Sequence, residues 1–174
     1  MVRRLFPLCL ALASITANAC AGDDGEPLAH QIDDAQVEVT DLRAELDAHR
    51  AAAMQAPDLA ALQDAEATHH ANATAFMADL QHSITDMGMC DGAPHDPVDV
   101  MADMIGACES EFDQHSDAIA GAADLDQALA EEARHHQAMS EYLDDLGAMM
   151  DDMMAGHGTA MCSGHHGMDD HDSH

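Results

Sequence analysis

Residues 45–80 read ELDAHRAAAMQAPDLAALQDAEATHHANATAFMADL, and residues 111–146 read EFDQHSDAIAGAADLDQALAEEARHHQAMSEYLDDL. Displaced by 66 residues without a gap, the two stretches agree at 13 of 36 positions. Ala and Asp are common throughout the chain and coincide easily. Glu45, His49, Glu66, His69 and His70, however, recur as Glu111, His115, Glu132, His135 and His136, and these are metal-ligand types. A repeat of this length marks a supersecondary unit that needs its neighbour to bury an apolar face.

Working outward from the repeat, apolar residues recur three and four apart, the signature of amphipathic helices. One seam runs Ile32, Ala35, Val39, Leu42, Leu46, His49, Ala53, and residues 55–57 interrupt it. A second runs Leu59, Leu62, Glu66, His69, Ala73, Phe76, Leu80, Ser83, Met87. Gly88 to Pro97 is a break, with Asp96 expected as N-cap and Pro97 as first helical residue. The third seam is Val98, Met101, Ile105, Cys108, Phe112, His115, Ile119. Asp124 followed by Gln127 is a capping-box start for the fourth: Leu125, Ala128, Glu132, His135, Met139, Tyr142, Leu146, Met149, Met153. Short connections make neighbouring helices antiparallel. The expected fold is therefore all-α, an up-down-up-down four-helix bundle over residues 28–154 built from hairpins 28–88 and 97–154.

The core available to such a bundle is thin. Leu, Ile, Val and Phe make up only 27 of 174 residues, the formal net charge is -29, and the apolar fraction is mostly Ala and Met. Ala favours helix and Met fills irregular gaps, so helices form but gain little from burial. There is no Lys, and beyond the N-terminal segment 34 acidic residues face only Arg43, Arg50 and Arg134. A surface of that sign repels phosphate backbones, which excludes nucleic acid as a partner, and it attracts cations.

The two ends read differently. Residues 1–19 carry Arg3 and Arg4, an apolar run too short to span a bilayer, and Ala17-Asn18-Ala19 before Cys20, the pattern of an export signal. The site resembles the lipobox of bacterial lipoproteins, which implies a lipidated Cys20 as mature N-terminus; ordinary cleavage after Ala19 is the alternative. Residues 20–27 then serve as anchor and acidic tether, membrane contact is through the lipid alone, and the chain is expected in the cell envelope, facing the periplasm or on the outer membrane. Residues 155–174 lack periodicity and read as a disordered tail rich in His and Met.

Counted from the two hairpin turns, His49 and His115 lie about six residues up, Glu45, Glu66, Glu111 and Glu132 about ten, and His69, His135 and Cys108 about thirteen, a span of roughly 10 Å. The set can converge on one or two ions. Glu45 and Glu111 on the first and third helices, with Glu66-x-x-His69 and Glu132-x-x-His135 on the other two, resemble the ligand pattern of carboxylate-bridged di-iron, ferritin-like bundles. That resemblance implies a di-iron oxidase or ferroxidase. His49 and His115 are extra to the pattern, and with Met and Cys108 nearby they point instead to copper or zinc.

Glu66 and Glu132 are expected to repel each other and share a proton until an ion arrives. The plain structural alternative is that these groups only hydrogen-bond one another. His70, His136, His165 and His166 are further candidate ligands. Cys90 and Cys162 follow the helices that run away from the turns, and are expected to pair as a disulfide, with a two-Cys, two-His or Met-assisted soft-metal site near His95, His165 and His166, or unpaired thiols, as the alternatives. No nucleophile-base triad, phosphate-binding Gly loop or haem-attachment motif is present. The reading is of a non-enzymatic envelope protein that binds and buffers copper or zinc, with the oxidase and a metal-free interaction lipoprotein as alternatives.

Overall fold

The computed structural model describes residues 27–90 and 93–157, which form four helices: α1 Leu28–Ala53, α2 Leu59–Gly88, α3 His95–Ala120 and α4 Leu125–His157. The signal-like segment, Cys20, the tether, Cys162 and the tail from residue 158 onward lie outside the described residues. α1 packs on α2 and α4, α3 packs on the same two, and α2 meets α4 across the middle. This is the expected four-helix bundle. Among the described residues no helix is long and apolar enough to cross a membrane.

Caps fix where the second and fourth helices begin. Asp58, extended at φ -159° and ψ 171°, accepts a hydrogen bond from the Ala61 N–H at 2.9 Å. At the equivalent place in the second hairpin, Asp124 accepts from the Gln127 N–H at 2.9 Å, and the Gln127 side chain accepts from the Ala123 N–H at 3.0 Å. Each such cap contributes about 1 kcal/mol. α3 differs from expectation, because it starts at His95 with Pro94 as the N-cap, and Asp96 lies inside the first turn. Pro94 is held extended at φ -72° and ψ 115°. Pro97 is tolerated in that first turn, where its missing N–H has no helical acceptor to lose. α4 runs to His157 rather than ending at residue 154, and Met149, Met153 and His157 line one surface pocket with Pro94, Pro97 and Val100 at the start of α3.

The predicted seams of α1 and α3 are the buried ones. On α2 and α4 they drift by one residue. Met77, Leu143 and Met150 are buried where Phe76, Tyr142 and Met149 were expected, and those three are only partly buried. A straight helix turns at 3.6 residues, so a strict three-four alternation slips off its face after a few turns. Both copies of the repeat slip at the same place.

Burial falls into two apolar bodies. A small plug at the turn end holds Ala53, Leu62, Ile119 and Ala128, and a larger core fills the rest of the bundle. Some repeat-related core positions compensate in size, Ala53 with Ile119, Leu62 with Ala128, Ala35 with Met101 and Ala73 with Met139, whereas Leu80 and Leu146, and Met87 and Met153, are the same residue in both halves. Between plug and core lies a layer where the pairs stay identical, and every one of them is polar.

Candidate metal centre

Each helix contributes one side chain to that layer: His49 from α1, Glu66 from α2, His115 from α3 and Glu132 from α4, none more than 4% exposed. Their ligand atoms alternate around a ring. His49 Nε2 lies 2.8 Å from Glu132 Oε2 and 3.2 Å from Glu66 Oε2, and His115 Nε2 lies 3.1 Å from Glu66 Oε2 and 3.3 Å from Glu132 Oε2. All four atoms are within 4.8 Å of one another. Only the His49–Glu132 approach has hydrogen-bond geometry, while Glu66 Oε2 and His115 Nε2 satisfy none despite their short separation. A tetrahedral ion with bonds of about 2.0–2.1 Å holds its ligand atoms about 3.3 Å apart, so the ring is close to the size such an ion requires. This buried His/Glu cluster can hold a metal ion.

Counting residues from the turns set His49 and Glu66 at different heights, yet they share a layer. The reason is that helical side chains lean toward their own N-terminus. α1 and α3 run toward the turns, so His49 and His115 reach back into the bundle; α2 and α4 start at the turns, so Glu66 and Glu132 reach down to meet them. The same lean joins Glu45 to His69 and Glu111 to His135 in the next layer.

Burial would push each imidazole down and each carboxylate up, but mutual contact overrides both. His49 and His115 are raised to about 9 because each faces the Glu132 and Glu66 carboxylates. Glu132 is lowered to about 2, and Glu66 is lowered as well, by the two imidazoles. The expectation that the two carboxylates share a proton is therefore corrected: an imidazole stands between them on each side. Without metal these directions favour imidazolium paired with carboxylate, an arrangement with no net charge across the quartet.

In the second layer, His69 and His135 are buried and their rings stack on His49 and His115, with centroids 4.0 and 3.9 Å apart. His69 Nδ1 meets Glu45 Oε1 at 3.3 Å and His135 Nδ1 meets Glu111 Oε1 at 3.1 Å. Phe112 packs against both rings, at 5.5 and 5.1 Å. Both histidines are lowered, His135 to about 4, by burial and by the charged imidazole beside each. Glu45 and Glu111, expected as ligands, thus sit at the flank and orient the second histidine pair. Arg134 further secures one flank, bridging Glu111 at 2.8 Å and Glu131, whose Oε1 lies 3.5 Å from His115 Nδ1. On the other flank its repeat equivalent is Thr68, and Glu45 receives the Asn72 amide at 3.2 Å instead. Glu131 was not singled out in the sequence, because its counterpart Ala65 breaks the repeat there.

The remaining candidates are elsewhere. His70 pairs with Asp113 at 3.3 Å and His136 with Asp47 at 2.9 Å, two repeat-related contacts on the outside that tie one hairpin to the other. Cys108 is buried in the apolar core as a free thiol pushed up to about 12 by burial, outside the four-residue group. Cys90 is disulfide-bonded. His165, His166, Cys162 and Cys20 lie outside the described residues, as do any soft-metal contacts of the tail. No family model, curated protein or solved structure matches the chain.

Proposed function

We propose that the chain binds and buffers a divalent transition metal, zinc or copper(II), in the layer formed by His49, Glu66, His115 and Glu132. The observation that carries this reading is the convergence of one ligand atom from each of four helices, all buried and within 4.8 Å of one another. Imidazole and carboxylate donors suit zinc and copper(II), and no thiolate or thioether belongs to the group, which disfavours copper(I). Charge supports the divalent choice: exchanging the two imidazolium protons for one dication leaves the buried layer neutral. Four protein ligands in a closed site leave no open position for a substrate, the pattern of a storage or structural site rather than a catalytic one. A di-iron oxidase would need Glu45 and Glu111 as ligands, and both are turned to His Nδ1 atoms instead.

The cellular part of the reading is that the bundle hangs from a lipidated Cys20 in the cell envelope, where the acidic surface and the His- and Met-rich tail gather cations for the core. Elemental analysis of untagged protein isolated from its native envelope tests the whole proposal. Zinc or copper should copurify with the parent and be depleted by at least one equivalent in His49→Leu/His115→Leu. Equal metal in both would remove the core site from the account.

A further inference from the structure

Eight buried side-chain polar atoms among the described residues have no hydrogen-bond partner, and seven of them belong to the two histidine-bearing layers. Three of the seven are explained by the ring of the first site: Glu66 Oε2 and His115 Nε2 as its members, and His115 Nδ1 as the atom facing Glu131. Four remain: His69 Nε2, His135 Nε2, Glu66 Oε1 and Glu132 Oε1. Unpartnered buried atoms cost about 1–3 kcal/mol each and demand a reason. These four are all good ligand atoms, drawn from α2 and α4.

We propose that they hold a second ion, so that Glu66 and Glu132 each bridge two metals, Oε2 to the first and Oε1 to the second, with His69 and His135 completing the second site. This rests on the reading of the first layer as a metal site. Both histidines are oriented as ligands would be, because the Nδ1 of each faces a carboxylate, Glu45 or Glu111, which places the hydrogen there and leaves Nε2 as a bare lone pair in the core. The spacing agrees. The ring stacks set the two histidine layers 4.0 and 3.9 Å apart, and carboxylate-bridged metal pairs sit about 3.5–4 Å from each other. Phe112 lies against both rings of the second layer and keeps water from it.

The test loads the untagged full chain with Zn²⁺ by equilibrium dialysis and compares it with His69→Leu/His135→Leu, the tail being present in both. The parent should retain one equivalent more than the variant, and X-ray absorption of the loaded parent should show a zinc neighbour at about 3.5–4 Å. The absorption measurement needs no variant, so it stands even if the double substitution fails to fold. Equal stoichiometry in helical parent and variant, or no metal neighbour in the parent, would overturn the second site. If the parent retains no zinc that His49→Leu/His115→Leu loses, the first-layer reading falls as well.

Discussion

His49 Nε2 and Glu132 Oε2 stand 2.8 Å apart although 83 residues separate them, one in each copy of the repeat. The layer is thus shared by both hairpins, and neither half can assemble it alone. Buried ions that lose one partner are strongly destabilising, whereas replacing a whole buried ionic set by apolar residues is often neutral or stabilising.

For the metal-free protein the consequence is an inversion between small and large changes. Glu66→Leu alone should cost about 3–5 kcal/mol, because it strands the His49 and His115 charges. Replacing His49, Glu66, His115 and Glu132 together by Leu should leave stability equal to the parent or higher. Urea unfolding in the presence of chelator measures both; a quadruple variant less stable than Glu66→Leu would refute the cost assigned to this layer.

Stability of the metal-free protein should peak near pH 6–7. His49 and His115, raised from 6.5 to about 9, stabilise the fold fully below pH 6.5 and lose that contribution as pH rises through 9. On the acid side, His135 at about 4 disfavours the fold increasingly from pH 6.5 down to 4, and the contribution of Glu132 present above pH 4.5 is lost toward 2. Saturating Zn²⁺ should abolish the alkaline decline, since the bound imidazoles are already neutral. Binding at pH 7 should release about two protons per first-layer ion, measurable as the buffer dependence of the calorimetric heat.

Glu45 and Glu111 orient His69 and His135 without joining the four-atom ring. Glu45→Ala/Glu111→Ala should weaken the affinity of the second-layer ion by about 10–100-fold while leaving the helices intact. A competition titration against a zinc chelator gives the number, and unchanged affinity would show that the flank carboxylates do not tune the histidines.

Much of this was legible in the sequence. The repeat, the seams of α1 and α3, the site-bearing part of those of α2 and α4, and the identity of the buried histidines follow from spacing alone, because His49 and His115 occupy positions that any apolar residue would fill. What spacing concealed was the lean of side chains along their helices. It brings His49 level with Glu66 and turns Glu45 to His69 rather than into the quartet. The drift that buries Met77 and Leu143 instead of Phe76 and Tyr142 was hidden for a related reason: a seam written in threes and fours presumes a supercoil that straight helices lack.

The cysteines should differ sharply in chemistry. Cys108, fully buried and pushed up to about 12, should resist alkylation until the bundle unfolds. We propose Cys162 as the partner of Cys90, which would hold the start of the tail against the end of α2. Peptide mapping without reductant should recover that pair; a free Cys162 would instead leave it available to the tail histidines.

The central claim, that the quartet is a metal site coupled to folding, is tested most directly by the melting temperature of the untagged chain with and without Zn²⁺. At an ion concentration one hundred times the dissociation constant, linkage contributes about 2.7 kcal/mol, or about 5–10 °C for a chain of this size. The account predicts that rise in the parent and its absence in the quadruple Leu variant, which keeps the tail and the acidic surface. An equal rise in both, or none in the parent, would contradict it.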